Sequence, residues 1–248
     1  MANVHTDKAY KYIRKRILTG EYPLGSPLKP HRLTTEIGVS RTPIRDALRL
    51  LETDGLVVMK PRLGARVVSL TIEEFAHLCA MRLALESYAA GLAAANRTES
   101  QLQELTAAFR SFADTGHKLI ADPGNVDLDN EYQRLDLQFH IVLLTAARNP
   151  LIKNECTRIH LLDHLLSSKF IRSAVPAERA KDDTATMMRE HEAILQAVEK
   201  QDAAAARTAM ERHLQPVVDS SIAALRHEAN YHQTVLRKIQ MIESTVQA

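Results

Sequence analysis

Between Arg32 and Gly64 the apolar positions Leu33, Ile37, Val39, Ile44, Leu48 and Leu51 recur at helical spacing on either side of Gly38. Two short helices can therefore share one small core, with Gly38 as the turn between them. Ser40 is placed to cap the second helix, Pro43 falls in its first turn where a missing N–H costs little, and Gly55 lies just past its end. Two valine-rich runs follow, Leu56 to Met59 and Ala65 to Leu70, and the KPRLG between them makes a hairpin with a basic tip. Upstream, Ala9, Tyr12, Ile13, Ile17 and Leu18 share one face of a helix ending at Gly20. Residues 1–70 are expected to form a winged helix-turn-helix.

From Thr71 onward the period is helical almost throughout, and no strand pattern survives. Thr71-Ile-Glu-Glu starts a helix through about Asn96, and Thr98 with Gln101 opens another through about Leu119. Asp122-Pro-Gly-Asn breaks the chain before a helix from about Leu128 to Ala147, and Asn149-Pro150 breaks it before one running towards Phe170. Val175-Pro176 and Gln201-Asp202 delimit two more. The expected class is mainly α: a winged helix-turn-helix followed by an all-α bundle over residues 71–230, with a helical extension over 231–248.

Charge supports that division. Residues 1–70 carry 13 Lys+Arg against 6 Asp+Glu, while the remainder is net acidic within an overall formal charge of +2. A basic unit joined to an acidic one suits a module that grips the phosphate backbone of double-stranded DNA beside a partner domain with another task. The basic unit lacks the surface aromatics that stack unpaired RNA bases. Cys79 and Cys156 are far apart in sequence and are expected as reduced core residues in a cytoplasm. No run approaches the roughly 20 apolar residues that cross a bilayer, and no signal-peptide pattern is present, so no membrane partner is expected.

Arg41, Thr42 and Arg45, with Arg49 one turn on, stand at the start of the second short helix, where guanidinium forks reach guanine edges and hydroxyls hold phosphates. Arg62 and Arg66 on the hairpin could lie along or in the minor groove. In the acidic half, Asp136 and His140 are four apart and share one helical face, while His191 and His213 fall on two later helices. A carboxylate and three imidazoles suit a divalent transition metal such as Zn²⁺, Ni²⁺ or Mn²⁺. In a chain with 11 His, the spacing alone fits satisfied core or surface histidines equally well.

The stretch GEYPLGSPLKPHRLTTEIGVSRTPIRDALRLLETDGLV resembles the DNA-binding domain of the GntR family of bacterial transcription regulators. The resemblance implies that Arg41, Thr42 and Arg45, with the neighbouring Ser40, face operator DNA and that Gly64 sits at the wing tip. His31 stands where the family often has arginine, with Arg32 one place on, so either of the two is a contact candidate. Residues 72–229 resemble the FCD ligand-sensing domain of the FadR subfamily, through D-x-x-x-H, E-H-x-x-I-x-x-A and a later H-L. That resemblance implies Asp136, His140, His191 and His213 as metal ligands beside a pocket for a small organic or sugar acid. Arg82 is then the fork for the acid's carboxyl group, and Arg134 and Asn149 are further lining candidates. Glu86 lies one turn after Arg82, where an i,i+4 ion pair is an equal reading.

An enzyme would add a general base aimed at a substrate. Glu190 precedes His191, but consecutive helical residues point about 100° apart, which makes it a poor base for the same centre. No catalytic residue is assigned. The expectation is a homodimeric repressor whose two reading heads meet the half-sites of a pseudo-palindrome and whose acid effector releases DNA, with a hinge near Ser69 to Glu73.

Overall fold

The structure, a computed structural model, describes residues 4–61, 64–170, 177–216, 218, 219 and 223. It divides into two compact units, one of residues 1–71 with 158–169 and one of residues 72–157 with 170–248.

In the first unit the order is α1 (Val4–Leu18), β1 (Pro27–Leu28), α2 (Pro30–Ile37), α3 (Arg41–Thr53), β2 (Val57–Lys60) and β3 (Gly64–Val67). Ala9, Ile13 and Ile17 of α1, Leu33 and Ile37 of α2, and Ile44, Leu48 and Leu51 of α3 are all buried. Gly38 ends α2 at φ 71°, a left-handed conformation that glycine adopts without a Cβ penalty, and its N–H donates to Thr34 O at 3.0 Å. Ser40 occupies the N-cap of α3 in an extended conformation, but its side chain makes no cap hydrogen bond. The α1–α3 packing is tied by Tyr10, whose hydroxyl donates to Asp54 Oδ2 at 2.6 Å.

The hairpin expected from the valine runs is present, with Val57 opposite Val67 and Lys60 opposite Gly64. It is one part of a three-stranded antiparallel sheet of order β1-β3-β2, in which Pro27 pairs with Arg66 and Leu28 with Ala65. Sequence pattern does not reveal β1. Two residues are too short for any period, and Pro27 is tolerated because β1 is an edge strand.

The second unit contains α4 (Ile72–Asn96), α5 (Glu99–Ala121), α6 (Val126–Ala146), part of α7 (Pro150–Phe170), α8 (Ala177–Glu199) and α9, residues 203–216. The starts follow the capping residues in the sequence. Thr98 and Gln101 form a complete capping box on α5, Asn125 Oδ1 accepts from Leu128 N on α6, and Asp202 Oδ1 accepts from Ala205 N on α9. α4 places Ala89, Ala90, Ala93 and Ala94 in the core, together with Phe139, Leu143, Ile194, Val198, Met210 and Leu214. Small side chains let the neighbouring helices approach α4 closely, and α4 packs on both α6 and α8.

Contrary to the sequence reading of membrane spans, α4 is by length and composition apolar enough to cross a bilayer. In the fold it is a core helix carrying a buried Arg82–Glu86 ion pair. Cys79 and Cys156 are both buried. The expected extension over 231–248 lies outside the described residues.

Candidate DNA-reading surface and candidate metal centre

Arg41, Thr42, Arg45 and Arg49 are all exposed along α3, while Ile44, Ala47, Leu48 and Leu51 on its other face are buried. The helical period thus separates anchor from presented surface. His31 and Arg32 are exposed at the start of α2, and the two differ in support. Arg32 Nε donates to Glu36 Oε1 at 2.6 Å, and Tyr22 donates its hydroxyl to the other oxygen of Glu36. These donors hold the Glu36 carboxyl below its usual range, the Tyr22 hydrogen bond foremost. Gly64 is exposed at φ 75° where β3 begins. Arg66 donates through Nε to Gly25 O at 2.9 Å, so it braces the wing against the segment before β1. Arg62 lies outside the described residues.

Asp136 and His140 of α6, His191 of α8 and His213 of α9 converge, each offering a ligand atom within 4.8 Å of the others. All three histidines are buried. Each imidazole meets an acceptor at Nδ1: Glu86 Oε2 at 2.7 Å for His140, Met187 O at 2.8 Å for His191 and Glu190 Oε2 at 3.1 Å for His213. A carbonyl or carboxylate oxygen can only accept, so each Nδ1 carries the proton and the neutral tautomer of each ring turns an Nε2 lone pair inward. His213 Nε2 and His140 Nε2 stand 3.3 Å apart, and His191 Nε2 stands 3.0 Å from Asp136 Oδ1.

Lone pairs therefore face lone pairs. Asp136 Oδ1 and His191 Nε2 are buried with no hydrogen-bond partner. Such orphaned acceptors cost about 1–3 kcal/mol each unless a cation meets them. Their spacing agrees with the roughly 3.0–3.4 Å expected between two atoms sharing a first-row ion at about 2.0–2.1 Å. The donor set fits a divalent transition metal on these grounds.

Burial pushes the Asp136 carboxyl up, and only positive charge beside it, whether a proton shared by His191 or charge on His140 and His213, outweighs burial and holds the group well below the usual carboxylate range. The carboxylate is therefore comfortable in this cage only with a cation next to it. Burial pulls the His213 imidazole down to about 3, with His191 adding to the effect. The neutral, metal-competent form of His213 is thus the favoured one. Aromatic rings fix the His191 imidazole, with Phe112 at 4.4 Å and Phe139 edge-on at 4.8 Å between ring centroids.

Arg82 is buried and its Nε donates to Glu86 Oε1 at 2.8 Å. Glu86 thus bridges Arg82 to His140. The i,i+4 ion pair exists, and the same carboxylate also orients a cage imidazole. Arg134 is a correction to the sequence reading. It lies on the exposed face of α6, forked onto Glu131 at 2.7 and 2.8 Å, because two residues before Asp136 is more than half a helical turn away from the cage.

Glu190 is the residue that sequence reasoning missed. The 100° rule is correct for His191, its neighbour, but Glu190 reaches His213 on another helix. Its adjacency to His191 was the one available signal. Burial raises the Glu190 carboxyl pKa.

Residues 5–67 match the bacterial regulatory proteins of the gntR family, and residues 77–216 match the FCD domain. The chain belongs to the GntR family. It is 32 % identical over 198 residues to the HTH-type transcriptional regulator YdhC of Bacillus subtilis (strain 168), covering 80 % of this chain and 82 % of that one. It is 30 % identical over 224 residues to the HTH-type transcriptional repressor NanR of Cronobacter sakazakii (strain ATCC BAA-894), covering 83 % and 79 %. Among solved structures, E. coli McbR/YncC superposes with a TM-score of 0.66 at 18 % identity, covering 92 % of this chain and 99 % of that one, a likeness of fold. The GntR winged helix and the FCD domain make this chain a DNA-binding transcription regulator and not an enzyme.

Proposed function

We propose that this GntR regulator is a cytoplasmic homodimeric repressor whose grip on operator DNA is set by a small organic or sugar acid bound at a metal-containing FCD cage. The observation that carries the reading is the buried set of inward lone pairs at Asp136, His140, His191 and His213, with two atoms left without partners. Zn²⁺, Ni²⁺ and Mn²⁺ all suit a site of three imidazoles and one carboxylate. The ion, when bound, supplies Lewis acidity and open coordination positions for a carboxylate ligand.

The chain's own residues do the rest. His140, His191 and His213 are held in the tautomer that turns Nε2 inward, and Arg82 brings a guanidinium that the acidic cage can offer an incoming carboxyl group. In the basic unit, Ser40, Arg41, Thr42 and Arg45, aided by His31 or Arg32 and by the wing at Arg62 and Gly64, read and grip the duplex. Two such units give the half-site pairing that one domain lacks. An acid that binds one state of the dimer better than the other shifts operator affinity by that difference, typically about 1–3 kcal/mol.

The test uses the full chain and a duplex selected from a random pool. Metal-loaded protein is titrated onto that duplex with and without each member of a panel of organic and sugar acids. The expected result is an affinity change of about 5-fold or more with at least one acid and none with metal-stripped protein. A switch driven by metal alone, or no response to any acid, overturns the reading.

A further inference from the structure

We infer that Glu190 is a positioning residue for the metal, aiming the His213 imidazole into the cage and supplying charge that makes the site selective for a divalent cation. The inference rests on the proposed metal function and assigns it a residue outside the four ligands. Glu190 lies on α8, yet its Oε2 accepts the Nδ1–H of His213 on α9 at 3.1 Å. Among the four ligands, only Asp136 is itself a carboxylate. The partners behind the imidazoles are therefore what tunes them.

Those partners are not equivalent. His191 leans on the Met187 carbonyl of its own helix, one turn back, so its aim is built into α8. His140 leans on buried Glu86, already shared with Arg82. His213, like His140, is held by a side chain from another helix, but Glu86 is fully buried and tied to Arg82, whereas Glu190 keeps 19 % of its side chain exposed. Glu190 thus fixes both the ring angle of His213 and the seating of α9 against α8.

Charge makes the second half of the argument. With neutral imidazoles, the cage and its immediate partners hold Asp136, Glu86 and Glu190 against Arg82. Counted over these direct contacts, three carboxylates and one guanidinium leave a formal −2, with Arg212 and Arg189 acting on Glu190 from outside the cage, and a divalent ion neutralises that inner charge in surroundings where uncompensated charge is expensive. Without Glu190 the same ion leaves an excess positive charge. A carboxylate behind a ligating imidazole also makes the ring a stronger donor, and losing such a partner typically weakens metal binding about 10–100-fold.

The experiment measures Zn²⁺ affinity by competition with a chelating indicator for the parent chain, Glu190→Gln and Glu190→Ala. Melting of the metal-stripped proteins and the visible spectrum of the Co²⁺-loaded ones are recorded in parallel. Glutamine keeps an oxygen that can accept from Nδ1–H but removes the charge, whereas alanine removes both. The expected result is a graded loss, about 10-fold for Glu190→Gln and about 100-fold for Glu190→Ala, with an altered Co²⁺ spectrum and little change in metal-free melting. Parental affinity in both variants overturns the assignment while leaving the metal reading intact. An Ala variant that melts far lower without metal, yet shows a parental Co²⁺ spectrum, makes Glu190 a structural tie only and also overturns it. Failure of the parent itself to bind Zn²⁺ overturns the metal function and this inference together.

Discussion

The substitution Asp136→Asn separates the two states of the cage, because one change should act with opposite sign on each. The Nδ1 protons of the three imidazoles are committed to Glu86, Met187 and Glu190. Asp136 Oδ1 then faces the His191 lone pair at 3.0 Å as a second acceptor, and neither buried atom has a hydrogen-bond partner. An Asn side chain of the same shape can turn its amide N–H₂ towards His191 Nε2. It supplies one hydrogen bond worth about 1 kcal/mol and relieves part of an unsatisfied-acceptor penalty of about 1–3 kcal/mol. In EDTA the variant should therefore be more stable than the parent by about 1–2 kcal/mol, a rise of roughly 2–8 °C in Tm for a domain of this size.

With saturating Zn²⁺ the order inverts. A ligand that binds only the native state adds about 4 kcal/mol at a thousandfold excess over its Kd, and the variant forfeits most of that because it lacks the one anionic ligand. Thermal melts followed by circular dichroism in EDTA and in Zn²⁺ give all four values. A variant that melts below the parent in EDTA, or that keeps the parent's Zn²⁺-induced rise, refutes the idea that the cage is a set of acceptors waiting for a cation.

The basic unit gives two further expectations. Because Arg45 is exposed on α3 opposite a buried face, Arg45→Ala should leave melting unchanged and weaken binding to a selected duplex by about 1–3 kcal/mol, which a gel-shift titration reads directly. Tyr10 donates to Asp54, and its pKa is pushed up to about 12, mainly by burial with the Asp54 hydrogen bond adding to it. The unfolded chain loses that proton near pH 10 and the folded chain holds it to about 12, so stability falls with rising pH across this window. Tyr10→Phe should flatten that fall in a melting series from about pH 9 to 12; an unchanged slope counts against the hydrogen bond's role.

The helices were legible because their ends are written in short-range chemistry. Thr98 with Gln101, Asn125 and Asp202 each satisfy orphan N–H groups within three residues, so the capping pattern in the sequence and the observed starts coincide within about two residues. Ser40 shows where such reasoning stops. It occupies the N-cap position but leaves the cap hydrogen bond unmade. β1 was invisible because an edge strand of two residues takes its identity from Arg66 and Ala65, nearly forty residues away in the chain. Arg134 failed for a related reason: nearness in sequence to Asp136 says nothing about which face of α6 a residue takes, and the period sends it to Glu131 and solvent.

The cage was only half legible, and the missing half explains its behaviour. The four candidate ligands were recognisable as types, but what aims them is a set of contacts across helices: Glu86 of α4 behind His140 of α6, and Glu190 of α8 behind His213 of α9. Those contacts, with the Met187 carbonyl behind His191, fix three tautomers at once, and fixing them is what leaves Nε2 lone pairs opposed at 3.3 Å and an acceptor pair at 3.0 Å. Ordinary cores relieve such conflicts by rotating a ring. Here Phe112 and Phe139 bracket the His191 imidazole, so it has no easy alternative. The conflict is therefore held in place by packing, and a cation that resolves it also pins α6, α8 and α9 to one another. A ligand acid that alters how that cation is held would act on the mutual seating of these three helices, which is the physical handle a sensing domain needs.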